Sequence, residues 1–305
     1  MNQRVKNFFI SFLPMLFCFA LQLVVSFFMI ELFVVFILGS FTGSSFSELM
    51  EYILGAFTGQ GLNSATLCIY GAASLLITAY WFKRFLKQKK SDFHEPGKPY
   101  EVLTEAGNTL KGYSLPRLIF GAVITGISLQ IVANFLMAVI AIAFPDSLTL
   151  YETVSKAAGM GDNNISVFTL IYLFLGPIAE EITFRGLTFG YARRALPFIG
   201  ANVVQAVFFG LIHVIPIQGV LAAVMGVVFG YLYGRTRNIW VTVLVHLAFN
   251  FSSFALELIP LGEVPATGFF IILLLSMFFA YVGVKLILSS VPVFSKGASA
   301  DLKRS

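Results

Sequence analysis

From Phe8 to Leu38 the chain carries a single charged residue, Glu31. A membrane helix needs only about 20 mostly apolar residues, so this run is ample for one crossing. It is also far longer than the roughly 7–15 apolar residues of a secretory signal core, and no small-residue cleavage motif follows it. It therefore reads as a retained first membrane helix. Comparable runs recur at Asn63–Phe82, Leu115–Phe144, Ile165–Tyr191, Phe198–Ile215, Ile217–Tyr233, Ile239–Leu258 and Gly268–Ser289. The expected fold is all-α, a polytopic membrane protein with about eight transmembrane helices. Composition agrees: 58% of the 305 residues are hydrophobic and 11% are charged. A soluble fold could not hide that much apolar surface, which excludes a soluble enzyme, a disordered chain and a nucleic-acid binder.

The basic residues orient the helices. If all eight runs cross, Arg4, Lys6, Lys83, Arg84, Lys87, Lys89, Lys90, Lys98, Lys111, Arg193, Arg194, Arg235, Arg237, Lys296, Lys303 and Arg304 share one side. The opposite loops hold Lys156 against Glu48, Glu51, Asp146, Glu152, Asp162 and Glu263. This bias predicts that both termini are cytoplasmic. The net charge of +5 is then a topology signal, with no nucleic acid as partner. The expected organisation has three parts. Residues 1–164 hold helices one to three, with a polar cytoplasmic connector at 83–114. Residues 165–258 form a four-helix core, and residues 259–305 supply helix eight and a basic tail. The expected location is multi-pass in a bacterial cell membrane, and the expected partners are the bilayer and a membrane-tethered peptide or protein.

Two smaller features read as packing. Gly226, Gly230 and Gly234 repeat at every fourth position and give helix six a small-residue face. Cys18 and Cys68 lie in apolar runs without any CxxC or disulfide framework.

Ionisable groups inside membrane segments are costly, about 2.5–3.5 kcal/mol for Arg, Lys or Asp at a helix centre, so those present mark a function or a tight pairing. Here they cluster in helices four to seven. Glu180-Glu181-x-x-x-Arg185 follows Gly176-Pro177 on helix four, and the i,i+4 spacing lets Glu181 face Arg185. Glu180 points about 100° away and needs another partner. Phe209-x-x-x-His213 closes helix five, and His246-x-x-x-Asn250 lies on one face of helix seven. Neither a GxSxG nucleophile motif nor an HExxH zinc motif is present. A carboxylate and an imidazole can deprotonate water, while a second imidazole and an amide can donate to an oxyanion. Glu180, His213 and His246 could equally hold a divalent metal such as zinc. Residue types alone leave both open.

The three motifs, in this order and on successive membrane helices, resemble the CPBP family. That family includes the Rce1-type CAAX prenyl endopeptidases and the bacteriocin-processing or immunity (Abi) relatives. The resemblance covers about Ser166–Phe254. It implies an intramembrane endopeptidase of the glutamate type, cleaving a membrane-associated or lipidated substrate without a cofactor. Glu180 and His213 would activate the water, and His246 and Asn250 would form the oxyanion site. Glu181, Arg185 and Phe209 would support them. A non-proteolytic scaffold or immunity protein of the same fold is the alternative; a proton-coupled transporter predicts a two-half symmetry that the sequence lacks. One geometric tension accompanies this reading. Helix five runs outward, so His213 should lie deeper than Glu180 and His246 unless tilt, a kink at Pro177 or unequal helix length brings them level.

Overall fold

The computed structural model describes residues 2–43, 45–57, 60–87, 109–158, 166–257 and 265–291. Residues 88–108 of the expected connector and the basic tail beyond 291 lie outside the described residues. Among the described residues the chain is helical with no strand, and seven helices are long and apolar enough to cross a membrane. It is an all-α, multi-pass membrane protein.

The first crossing is built from α1 (Gln3–Ile10) and α2 (Leu13–Ser40). They break at Ser11-Phe12, where Pro14 opens α2 and lacks an amide hydrogen to carry the ladder through. The Ser11 hydroxyl donates instead to the Phe8 carbonyl at 2.6 Å. Next come α3 (Phe46–Phe57), α4 (Gln60–Leu86), α5 (Leu115–Ala143) and α6 (Pro145–Ala157). The short helices α3 and α6 went unseen in the apolar pattern because neither is long enough to span. Helix α6 has its own local logic. Pro145 starts it, Asp146 sits in its first turn and Lys156 in its last, which complements the helix dipole.

The fourth long crossing is continuous from Val167 to Arg193 but changes its winding. It runs as α7 (Val167–Glu181), a π-helical stretch (Ile182–Thr188) and α8 (Phe189–Arg193). Then follow α9 (Phe198–Leu211), α10 (Pro216–Thr236), α11 (Ile239–Glu257) and α12 (Ala266–Ser290).

The fifth expected span, Phe198–Ile215, forms only as the 14-residue α9. At 1.5 Å per residue it rises about 21 Å, short of the roughly 30 Å hydrocarbon core. The helix stops because Pro216 restarts the chain and Val214 adopts a left-handed φ of 62°. The amide of Ile215 bonds the His213 carbonyl at 2.6 Å across Val214, a tight turn that β-branched residues rarely accept.

Helices α9 and α10 form an antiparallel hairpin stitched by the expected glycine face. A Cβ at Gly226 would meet Ala206 at 2.9 Å, one at Gly234 would strike Phe198, and one at Gly230 would strike Asn202 and Gln205. The amides of Gln205 and Asn202 donate across the seam, to the carbonyls of Gly226 at 2.8 Å and Val227 at 3.1 Å. Such amides act as glue between helices that lipid cannot drive together. Gly230→Ala should therefore displace both amides and destabilise the protein by about 1–3 kcal/mol, read as a lower midpoint of detergent unfolding.

Candidate active site

The site begins where α7 ends. Pro177, inside α7, offers no amide hydrogen to the preceding turn. Five residues on, the backbone widens into the π-helical stretch, a deviation that recurs at functional sites. The Thr183 hydroxyl bonds back to the Ala179 carbonyl at 2.7 Å and satisfies part of the loosened ladder. Glu180 and Glu181 sit at this junction and point to different neighbours.

Glu181 and Arg185 are both fully buried, with Arg185 Nη1 3.0 Å from Glu181 Oε1. The i,i+4 pair read from the sequence thus forms. The same oxygen accepts a hydrogen bond from His246 Nδ1 at 2.8 Å. Glu181 therefore does more than hold a helix end: it fixes the ring and tautomer of His246, since a nitrogen facing a carboxylate at that distance carries the proton. The other ring nitrogen, Nε2, points at Glu180, 3.7 Å from Oε2. His246 thus bridges the two glutamates. The side chain of Glu180 is 24% exposed, unlike that of Glu181 at 0%.

Phe209 gives the site its spacing. The Arg185 guanidinium lies over the Phe209 ring at 4.3 Å and over the Phe229 ring at 5.1 Å. Cation–π contact in a desolvated place partly replaces the water that Arg185 gives up. Phe209 also meets both imidazoles edge-on, at 5.1 Å from His213 and 5.9 Å from His246. One ring therefore touches the guanidinium and both histidines.

The depth conflict between His213 and the other two residues resolves here. His213 follows the last turn of α9, and its ring folds back one turn, so Nδ1 lies 2.7 Å from the Phe209 carbonyl. A carbonyl accepts only, so Nδ1 donates and Nε2 is left with its lone pair. The short helix and the folded ring bring the imidazole back to the level of Phe209, which also touches His246. Asn250 sits one turn beyond His246 on α11 and is half-buried. Its backbone carbonyl accepts from the Ser253 hydroxyl at 2.7 Å.

Among the described residues, no three His, Cys, Asp or Glu side chains converge closely enough to hold a metal ion. His246 Nδ1 is committed to Glu181 and His213 Nδ1 to a carbonyl, which leaves both Nε2 atoms available, as they also are in metal-ligating histidines.

Residues 162–252 match the family model described as Type II CAAX prenyl endopeptidase Rce1-like. This segment is similar to the Rce1-like family. Every motif residue from Glu180 to Asn250 lies inside the Rce1-like segment. A curated relative, "Putative membrane peptidase YdiL" of Bacillus subtilis (strain 168), is 33% identical over 96 residues. That alignment covers 32% of this chain and 39% of the relative, so the chain spans well under half of that protein's length. No solved structure matches.

Outside the Rce1-like segment, the sequence reading missed three residues. Cys18 on α2, together with Tyr70 and Ser74 on α4, lines a cavity shared with Glu180 and Thr183. Cys18 was read as packing, yet its sulfur lies 3.7 Å from the hydroxyls of both Ser74 and Thr183. Each of these residues, taken alone in an apolar run, looks like a small or aromatic packing residue. Only the fold brings them to the carboxylate.

Proposed function

We propose that the protein is an intramembrane endopeptidase that hydrolyses a peptide bond of a membrane-associated or lipidated substrate with water activated by Glu180. One observation carries the reading: His246 is clamped between the two glutamates, Nδ1 on Glu181 and Nε2 toward Glu180. A purely structural ion pair needs only Glu181 and Arg185. It leaves no reason for a second, partly accessible carboxylate to face an oriented imidazole.

The chemistry follows from these positions. Glu180 takes a proton from the water while the water oxygen bonds to the substrate carbonyl carbon. His213, with Nε2 unprotonated, accepts the water's other hydrogen as a hydrogen bond and holds its lone pair toward the carbonyl. His246 in its doubly protonated form donates from Nε2, and the Asn250 amide donates beside it, to the oxygen that becomes negative. As the C–N bond breaks, the proton held by Glu180 passes to the leaving nitrogen. Glu181 holds His246 in place throughout, in the way that a carboxylate orients the base of a catalytic triad.

The substrate class follows the Rce1-like match and the membrane setting: a peptide held at the bilayer by a lipid or a membrane helix. The test is turnover of internally quenched peptides, anchored by an S-farnesyl cysteine or by a membrane helix, by the purified protein in liposomes. Wild type should cleave at least one set, and a protein that cleaves neither fails the reading. Chelation supplies a second expected outcome. Prolonged EDTA or phenanthroline treatment should leave turnover within about twofold of untreated enzyme, because each step is assigned to a side chain. Loss of turnover that zinc restores would transfer the chemistry to a metal held by Glu180, His213 and His246.

A further inference from the structure

The helices outside the motif-bearing core have no assigned part in the chemistry. Two of them nevertheless place polar side chains beside Glu180. We propose that the cavity between α2, α4 and the π-helical stretch holds the hydrolytic water against Glu180, with Cys18, Tyr70 and Ser74 as its polar wall. The inference rests on the proposed function, because it takes Glu180 to be the base.

The cavity is lined by Cys18, Tyr70, Ser74, Glu180 and Thr183, among others. It offers about 20 Å³ to the centres of water-sized molecules. One water needs roughly 10–15 Å³ by that measure, so the space admits one water and no peptide side chain of any size. A buried water also needs two to four polar partners. Ser74 is 2% exposed, Thr183 1% and Cys18 3%, so these groups do not face headgroups or bulk water. The Thr183 proton is spent on the Ala179 carbonyl, which leaves its oxygen free to accept. Tyr70 lies beside both Cys18 and Glu180. A carboxylate acceptor, hydroxyl donors and a hydroxyl acceptor therefore surround one water-sized space.

Glycines close its outer wall. A Cβ at Gly71 would meet the Tyr172 ring at 3.1 Å, and one at Gly176 would meet it at 3.0 Å. The ring packs over both positions and covers the junction of α4 and α7. The cavity also reaches Ile212, the chain neighbour of His213.

The test compares Tyr70→Phe/Ser74→Ala, Cys18→Ala and Cys18→Ser with wild type on the liposome-anchored farnesyl peptide and helix-anchored peptide probes. The double variant deletes two hydroxyls and little volume. It should lower kcat about tenfold or more with KM within about twofold, as expected when hydrogen bonds to the reacting water are lost. Cys18→Ala should lower kcat about fivefold, while Cys18→Ser, which keeps a donor and an acceptor, should stay within about twofold of wild type. Detergent-unfolding midpoints check that each variant is folded. Unchanged kcat in a folded double variant, or a change confined to KM, overturns the inference while leaving Glu180 in place. Absent wild-type turnover on both probes overturns it together with the reading on which it rests.

Discussion

Glu180→Gln is expected to lower kcat about 100- to 10,000-fold, with a folded protein and a nearly unchanged KM. The substitution keeps the shape of the side chain and removes the proton acceptor, and general base catalysis contributes that range. Its position predicts tolerance in the fold. The side chain is 24% exposed and contributes only a long 3.7 Å contact to His246. Turnover by anchored-peptide cleavage, beside an unfolding midpoint, separates the two effects. His246→Ala should behave differently. It removes the proposed oxyanion donor, at an expected cost of about 100- to 1,000-fold in kcat, and it strips a hydrogen bond from buried Glu181, so its midpoint should fall as well. Two variants of adjacent groups thus differ in stability while both lose activity. Equal stability loss in both would show that Glu180 is a structural partner of His246 and not the base.

Arg185→Met has the largest expected effect on stability. Arg185 and Glu181 are fully buried and paired at 3.0 Å, and the guanidinium also stacks between Phe209 and Phe229. Removing one partner leaves the other buried and uncompensated, a loss of about 3–5 kcal/mol. Met fills much of the volume, so a cavity is not the cause. The double variant Arg185→Met/Glu181→Gln removes both charges and should recover part of the loss, because a buried pair gains little over neutral groups of similar size. The unfolding free energies of the singles and the double form the measurement. A single variant as stable as wild type would mean that Glu181 needs no cation and that the guanidinium serves another group. Activity supplies a second signature, since the double variant removes the carboxylate that orients His246 and should stay inactive even where its stability returns.

How much of this was legible in the sequence depended on the kind of signal. Long apolar runs report membrane helices directly, because the bilayer fixes their length, and the segments bounded by Asn63, Leu115, Ile239 and Gly268 form as helices near those limits. The run at Phe198–Ile215 misled in its length. Apolarity continues through Ile212, Val214 and Ile215, but the left-handed Val214 and Pro216 end the helix at Leu211. Hydropathy cannot see a turn made of apolar residues. The Glu181–Arg185 pair was readable because i,i+4 spacing is local geometry. The bond from His246 to Glu181 was not, since it joins residues 65 apart in the chain and depends on how α11 packs against α7. The π-helical stretch was equally silent, because Pro177 announces a disturbance but not its form. The same holds for Cys18, Tyr70 and Ser74. Their types are common in membrane helices, and only packing of α2 and α4 against the π-helical stretch gives them meaning.

The measurement that tests the central claim most directly is mass spectrometry of the products formed by the wild-type protein in liposomes, from an anchored peptide in ¹⁸O-water containing hydroxylamine. Direct attack of water activated by Glu180 predicts a new C-terminal carboxylate carrying one ¹⁸O, no hydroxamate, and loss of both fragments in Glu180→Gln. A hydroxamate product would reveal an acyl-enzyme on a side-chain nucleophile and contradict the account, as would undiminished cleavage by Glu180→Gln.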